Sequence, residues 1–435
     1  MPSPRRLLDD CFLHDKDRLK HAEALAILKQ RIHPVCQRET VALEAANGRI
    51  LAEAILAPRN VPLTDNAAVD GYAFRHDDLL TAQGFLPVSN RIAAGDTARL
   101  PLEANSAARI FTGAVMPEGA DTVVMQEDCA LTQSVDGGGV EIPIAIKPGA
   151  NCRKAGEDLN AGATVVNSGK RLRAQELAAI ASLGYGEIDV YAPLKVALVS
   201  TGDEILRPGA AIRPGQVYDS NFYLLNALLE PLPVTVDDLG VLADNPDQVQ
   251  NVLVDICQQY DVVLTSGGAS RGEEDHLITA IDALGSRHMW QLAIKPGRPM
   301  SFGQVNDCVI MALPGNPVAV MVCFLLYVYP MLLRMAGGAW SAPRRYAIPA
   351  AFEIVSKKPD RREFLRGSFE EDEQGNLRVR KFARDGSGLI TGLREADGLI
   401  EIPEATTRVQ TGDTVSFIPF TEFGLPARLQ ATNAD

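Results

Sequence analysis

No CxxC pair occurs in this chain, and its seven cysteines (Cys11, Cys36, Cys129, Cys152, Cys257, Cys308 and Cys323) are scattered and odd in number. Neither a thiolate zinc module nor a disulfide framework is indicated, so a reducing compartment is expected. Basic charge is also scarce: 42 Lys and Arg stand against 55 Asp and Glu, a net charge of −13. Nucleic acid and anionic membrane both need basic surface, so neither is an expected partner. An anionic substrate would have to meet cations gathered locally against that background. Long apolar runs are missing too. The most membrane-like segment, Val318–Leu333, is started by Pro317 and interrupted by Pro330, and it falls short of the roughly 20 apolar residues that span a bilayer. A buried core helix is the expectation there. Residues Met1–Asp10 carry Arg5 and Arg6 with no apolar core behind them, so no secretory leader is expected and the cytoplasm is the expected location. Internal repeats and low-complexity tracts are lacking.

What is present is an ordinary globular composition, 46% apolar and 22% charged over 435 residues, enough for several domains and a sizeable core. Leu19–Ile32 carries apolar residues at helical spacing, and Val41–Leu56 is a second apolar-periodic piece. From Val61 to about Asp158, short apolar runs broken by glycine and proline predict a small β-domain, with Gly137–Gly139 as a hairpin or flexible turn. Leu172–Leu183 returns to helix and stops at Gly184. An inserted β-lobe that leaves and rejoins a helical segment explains this order.

After Pro193 strands and helices alternate: strand Val196–Val199, helix Asn221–Leu229, strand Val234–Leu239, helix Pro246–Gln259, a strand from Val262, then Val309–Leu313 and the helix from Pro317. This grammar predicts a mainly parallel sheet covered on both faces. Past Gly337–Pro343 come short strands again, Arg345–Ile354, Arg366–Glu370, Leu377–Phe382, Gly398–Ile402 and Thr414–Ile418, which predict a C-terminal β-domain.

The chemistry concentrates where parallel strands end. Asp261–His276, DVVLTSGGASRGEEDH, runs from a buried strand through Gly267 and Gly268 to Asp275 and a helix. By itself Ser266–Gly268 reads more readily as an ordinary tight turn, but neighbouring segments repeat the design. STGDE, ending in Glu204, follows one strand, and the Leu239–Asn245 turn with Asp244 follows another. Carboxylates converging at one sheet edge suit a hard cation such as Mg²⁺, and helix capping is the competing account of each. Leu313–Pro317, LPGNP, can be a capped helix start or an anion site. Lys295–Pro299, KPGRP, presents two cations on a proline-braced loop and predicts an oxyanion contact. Asp70-Gly71 alone reads as a hairpin turn.

DNAAVDGYAFR, RIFTGAVMPEGADTVVMQED, RKAGEDL, STGDEI, GQVYDSN, DVVLTSGGASRGEEDH, AIKPGRPMSFG and LPGNPVAV run in order from Asp65 to Val320. Together they resemble the molybdopterin molybdenumtransferase family, bacterial MoeA and the corresponding domain of gephyrin. The lead helix and C-terminal domain fit as well. The resemblance implies a four-part α/β subunit. A helical linking domain spans 1–57 plus 160–192, an inserted β-rich lobe 58–159, a three-layer α/β molybdopterin-binding domain 193–338, and a C-terminal β-barrel-like domain 339–435. It further implies a homodimer with its active site between subunits, and a Mg²⁺-dependent reaction of molybdate with adenylylated molybdopterin that yields molybdenum cofactor and AMP. Transient contacts with the adenylyltransferase and with cofactor-accepting proteins follow from that reaction.

Carried onto this sequence, the resemblance makes Asp275, Asp244 and Glu204 the acidic residues around the metal and phosphoryl group. Asp70 and Thr112 become β-lobe residues reaching the partner's cleft, and Asp158 a further functional carboxylate. Gly267, Gly268 and Ser270 form the pterin-phosphate and nucleotide loop. Lys295, Arg298, Arg366 and Ser387 serve molybdate and nearby anions, beside the structural prolines Pro314 and Pro317. Ala67, Arg298, Ala319 and Asp385 depart from the family's usual serine, lysine, serine and glutamine. No Ser-His-Asp set or reactive cysteine is evident, in keeping with a reaction that needs charge neutralisation and positioning. The alternatives are a molybdopterin adenylyltransferase, whose fold resembles Pro193–Gly338, a gephyrin-like scaffold, and a paralogue that prefers another oxyanion such as tungstate.

Overall fold

The computed structural model describes residues 18–96, 101–134, 137–243, 245–267 and 276–428. Asp244, Gly268, Ser270 and Asp275 therefore lie outside the described residues. Packing divides the chain into two compact units, one of residues 1–53, 168–173 and 187–435, the other of residues 54–167 and 174–186. The helix Ala174–Ser182 belongs to the second.

The first unit is built on a six-stranded sheet. Its strand order is Val234–Leu242, Leu194–Thr201, Val262–Ser266, Cys308–Leu313, Pro299–Val305, Ser286–Gln291. The first four strands are parallel and the last two antiparallel. Val262–Leu264 and Cys308–Leu313 are buried along their whole length, as strands covered on both faces must be. One face packs on Val249, Leu253, Ile256, Leu277 and Ile281 from the helices Pro246–Gln259 and His276–Leu284. The other packs on Leu225, Leu228 and Leu229 from Ser220–Leu229 and on the long apolar helix that starts at Pro317.

That long helix corrects one expectation, because Pro330 does not interrupt it. The helix runs from Pro317 to Met335, with a wider π-type turn over Phe324–Val328 in which the Tyr329 N–H bonds the Phe324 carbonyl. A proline removes one backbone donor, and a shifted register just before it lets the chain stay helical. By length and composition the helix could cross a bilayer, yet 83% of it is buried inside the protein. Val320, Phe324, Tyr327, Met331 and Leu332 are fully covered core side chains, each contributing about 1.5–3 kcal/mol by removal of apolar surface from water.

The C-terminal part of this unit is a second six-stranded sheet, in which Arg362–Glu371 pairs with Leu377–Lys381 and with Gly398–Ile402. Gly398–Ile402 in turn pairs with Thr414–Pro419, and Tyr346–Pro349 closes the series. Ala350 bridges Val379, so the sheet curls back on itself around Ile348, Ile400 and Phe417. Its far edge, Arg362–Glu363, pairs in parallel with Ile294–Lys295. The lysine of the KPGRP loop is thereby fixed to the C-terminal sheet.

The second unit carries a six-stranded sheet with the order Thr122–Met125, Gly71–Phe74, Ala107–Ile110, Phe85–Ile92, Gly137–Glu141, Ala130–Ser134. Two glycine readings change here. Gly71 opens an inner strand and is not a hairpin turn, because a Cβ there would lie 1.7 Å from the Val124 carbonyl oxygen. Gly138 and Gly139 lie within a strand, where a Cβ on Gly139 would meet the Phe85 ring at 2.3 Å. Alternating-pattern reasoning sees a glycine cluster as a turn, whereas here the cross-strand neighbours require the missing side chain.

Candidate active site

The four parallel strands end in register, with Ser200 opposite Val241 and Ser266, and Ser266 opposite Leu313. The loops carrying Glu204, Gly267 and Pro314 therefore leave the same edge of the sheet, as expected. The loop after Val234–Leu242 is shorter than expected because that strand extends to Leu242. The helix that follows is capped by Asn245, whose Oδ1 accepts from the Gln248 N–H at 3.1 Å.

A cleft of about 630 Å³ opens beside this edge, between it and the C-terminal sheet. It is lined by Gly267, the whole Lys295–Pro299 loop, Pro314 to Asn316, Ala319, Phe364 to Arg366, and Lys381, Phe382, Asp385 and Ser387. Six of the expected binding residues thus meet in one place: Gly267, Lys295, Arg298, Pro314, Arg366 and Ser387. Pro317 stands just outside as the first residue of the buried helix. Glu204 is not in the lining. Its carboxylate folds back over Gly202, close to where a Cβ would sit. Among the described residues no three His, Cys, Asp or Glu side chains gather into a metal cluster.

Arg366, Lys295 and Lys381 are each held differently. Arg366 is 7% exposed, donates to the carbonyls of Leu389 (2.9 Å) and Arg384 (2.8 Å), and stacks on Phe382 with its guanidinium carbon 4.7 Å from the ring centroid. Burial pulls its guanidinium below the usual range, with Asp385 opposing. Lys295 Nζ lies 3.7 Å from the Glu363 carboxylate, which Arg361 also binds at 3.0 Å. Lys381 donates to Asp385 Oδ1 at 3.0 Å and to the Phe382 carbonyl at 3.3 Å. Burial works to raise the Asp385 carboxyl, but the Lys381 bond and the charges of Lys295 and Arg366 outweigh it and hold the carboxyl below its usual range. The Val318 N–H donates to the Ser387 carbonyl at 3.0 Å, joining Ser387 to the start of the buried helix. Gly267 and Gly297 both have positive φ, +93° and +104°, so these two turns demand glycine.

Beneath the loops lies a polar network to which the sequence reading assigned no role. Asn221 Nδ2 donates to Ser266 Oγ at 2.8 Å and to the Gly315 carbonyl at 2.7 Å, tying the SGG loop to the PGNP loop. Asp219 accepts from Ser200 Oγ, caps its helix through the Phe222 N–H, and lies 3.6 Å from Arg207. Lys381 also went unnoticed, because a lysine in a strand looks like solvated surface. For Asp219 and Asn221 the signal was available: an Asp-Ser-Asn run at a helix start beside a strand-end loop.

In the second unit Asp70 Oδ1 accepts from both the N–H and the hydroxyl of Thr112 at 2.7 Å. These bonds, the backbone one first, lower its carboxyl pKa. Asp158 is exposed, with its N–H bonded to the Val61 carbonyl. The neighbouring Lys154 and Ala155 are held by Asp65 at 2.9 and 2.8 Å.

Three family models match along the chain: MoeA N-terminal region (domain I and II) over residues 19–184, probable molybdopterin binding domain over 197–334, and MoeA C-terminal region (domain IV) over 350–420. A molybdopterin molybdenumtransferase from Haemophilus influenzae is 37% identical over 385 residues, 88% of this chain and 94% of the relative. The chain belongs to the molybdopterin molybdenumtransferase family. Molybdopterin molybdenumtransferase 2 from Mycobacterium tuberculosis is 33% identical over 405 residues, 90% of this chain and 96% of its own. The crystal structure of a molybdopterin biosynthesis MoeA protein from Pyrococcus horikoshii superposes with a TM-score of 0.76 at 32% identity, covering 93% of this chain and 99% of that one. The protein is thus a transferase of molybdenum cofactor biosynthesis with the multidomain α/β architecture of a molybdopterin molybdenumtransferase.

Proposed function

We propose that the cleft joins molybdate to adenylylated molybdopterin with release of AMP, and that Lys295, Arg298, Arg366, Lys381 and Ser387 bind the oxyanion. One observation carries this reading: in a chain of net charge −13, four cationic side chains line a single cleft at the strand-end edge. An oxyanion dehydrated there exchanges water for charge-assisted bonds, and Arg366 and Lys295 are already held by backbone carbonyls and a buried carboxylate, so those two need little reorganisation. Gly267, with Gly268 and Ser270, is proposed for the pterin phosphate and nucleotide, since a glycine backbone can approach phosphate closely.

Mg²⁺ is proposed as the divalent ion, with Asp244 and Asp275 as its ligands and Glu204 assisting. When bound, it would neutralise charge on the phosphoryl oxygens. Glu204 is the one described member of that set and does not make a site alone. A homodimer is proposed in which the Asp70–Thr112 pair and Asp158 serve the partner subunit's cleft. The preset hydrogen bonds of Asp70 support it as a carboxylate fixed for use.

The test supplies purified protein with adenylylated molybdopterin, Mg²⁺ and molybdate, and follows AMP and cofactor. Molybdate-dependent AMP release is expected. ATP consumption without any need for the adenylylated substrate would point to an adenylyltransferase, and no metal insertion at all would point to a scaffold. Equal turnover with tungstate would show that the cleft reads charge and shape without selecting the metal.

A further inference from the structure

We propose that Asp385 sets the oxyanion affinity of the cleft, as an internal counter-anion that holds Lys381 and must yield it to the incoming ligand. This rests on the oxyanion reading above. Among the described residues lining the cleft, Asp385 is the one acidic side chain, against Lys295, Arg298, Arg366 and Lys381. The anchoring of Lys295 and Arg366 does not block the cleft: Arg366 donates to backbone carbonyls, and Lys295 leans on Glu363, which is buried and shared with Arg361.

Lys381 and Asp385 form a different kind of pair. The lysine side chain is 18% exposed and the aspartate 64%, at 3.0 Å, so the cation is the sheltered partner and the carboxylate the wet one. An ion pair this open contributes little to folding. Its larger consequence is electrostatic, because a carboxylate in the cleft opposes any dianion that enters. Swinging Asp385 into solvent costs little hydration, while Lys381 keeps its bond to the Phe382 carbonyl at 3.3 Å and turns its remaining donors to the ligand. The pair would hold the cleft nearer neutrality when empty and release a cation when it fills.

Equilibrium binding of molybdate to the full-length protein, by titration calorimetry at fixed ionic strength, tests this with Asp385→Asn, Lys381→Met, the double variant and Lys295→Ala. Asp385→Asn is expected to tighten molybdate about three- to tenfold, and Lys381→Met to loosen it. In the Lys381→Met background the gain from Asp385→Asn should shrink by at least half, because the competition it relieves is gone. If Lys295→Ala and Lys381→Met weaken binding but Asp385→Asn leaves it unchanged or weaker, this inference is overturned and the oxyanion reading stands. If none of the variants alters binding, or the unaltered protein binds no molybdate, the oxyanion reading itself falls.

Discussion

Replacing Gly297 with alanine probes how tightly the cation loop is seated. The residue has φ +104°, and a Cβ there would lie 2.5 Å from Cys323 Sγ and 3.2 Å from Ile294 Cδ1. Cys323 is fully buried in the Pro317–Met335 helix and cannot retreat, so the loop must move. Left-handed backbone costs a non-glycine residue roughly 1–2 kcal/mol, and forcing an extra methyl into a packed core about 1–3 kcal/mol more. Gly297→Ala should therefore destabilise by about 2–5 kcal/mol in urea denaturation and weaken molybdate binding, because Lys295 and Arg298 flank the displaced residue. Cys323→Ala removes the clashing sulfur at about 1 kcal/mol for the small void. The double variant should then be about 1–2 kcal/mol more stable than the sum of the two, since residues in contact are not additive. The remaining deficit is the backbone part, which no change at Cys323 can restore. Wild-type stability in Gly297→Ala, or strict additivity in the pair, would refute this account of the loop.

Three further outcomes follow from the structure. His21 is 2% exposed, bonds Tyr327 Oη at 2.8 Å, and is pushed down from 6.5 to about 4, first by burial and then by the Arg362 charge. The folded state therefore binds fewer protons than the unfolded one between those values. Stability should be full above pH 6.5 and fall by roughly 3 kcal/mol as pH drops toward 4. His21→Gln should flatten that slope in denaturation curves at pH 7 and 4.5, and an unchanged slope would exclude His21 as its source. Glu401, 3% exposed, lies between Arg345 at 2.6 Å and Arg362 at 2.5 Å. Glu401→Gln should destabilise by about 1–3 kcal/mol, as a buried carboxylate loses its charge-assisted bonds to two partly exposed guanidiniums, and a midpoint shift below a fifth of that would contradict it. Asn221→Ala should lower turnover more than tenfold while the melting temperature moves by only a few degrees, since it unties two loops whose strands are held elsewhere. Restored turnover in Asn221→Gln or a parallel loss of fold would assign it a different role.

Much of the central architecture could be read from the sequence because each signal had one physical source. Alternating apolar runs and helical periods gave the parallel strands, and Pro246 with its preceding polar residues marked a helix start that the structure begins at the same residue. Residues fixed by cross-strand proximity were harder to read. Gly71 and Gly139 looked like turns because a sequence does not reveal which backbone or ring will press against them. The antiparallel pair Ser286–Gln291 and Pro299–Val305 was missed, since the conspicuous prolines and glycine between them drew the reading toward a loop. Pro330 reads as a break by local rule, and the buried packing of the helix around it overrides that rule. In the cleft, the motif residues Lys295, Arg298 and Pro314 were legible as clusters. Lys381 and Asp385 come from a strand end and a loop far along the chain, and only the curl of the C-terminal sheet brings them to the same cavity.

The most direct measurement is anomalous diffraction from a crystal soaked in molybdate or tungstate. A single strong peak is expected in the cleft, within bonding reach of Lys295, Arg366 and Ser387. A peak at the far edge of the sheet, or an occupied site with none of these side chains around it, would contradict it.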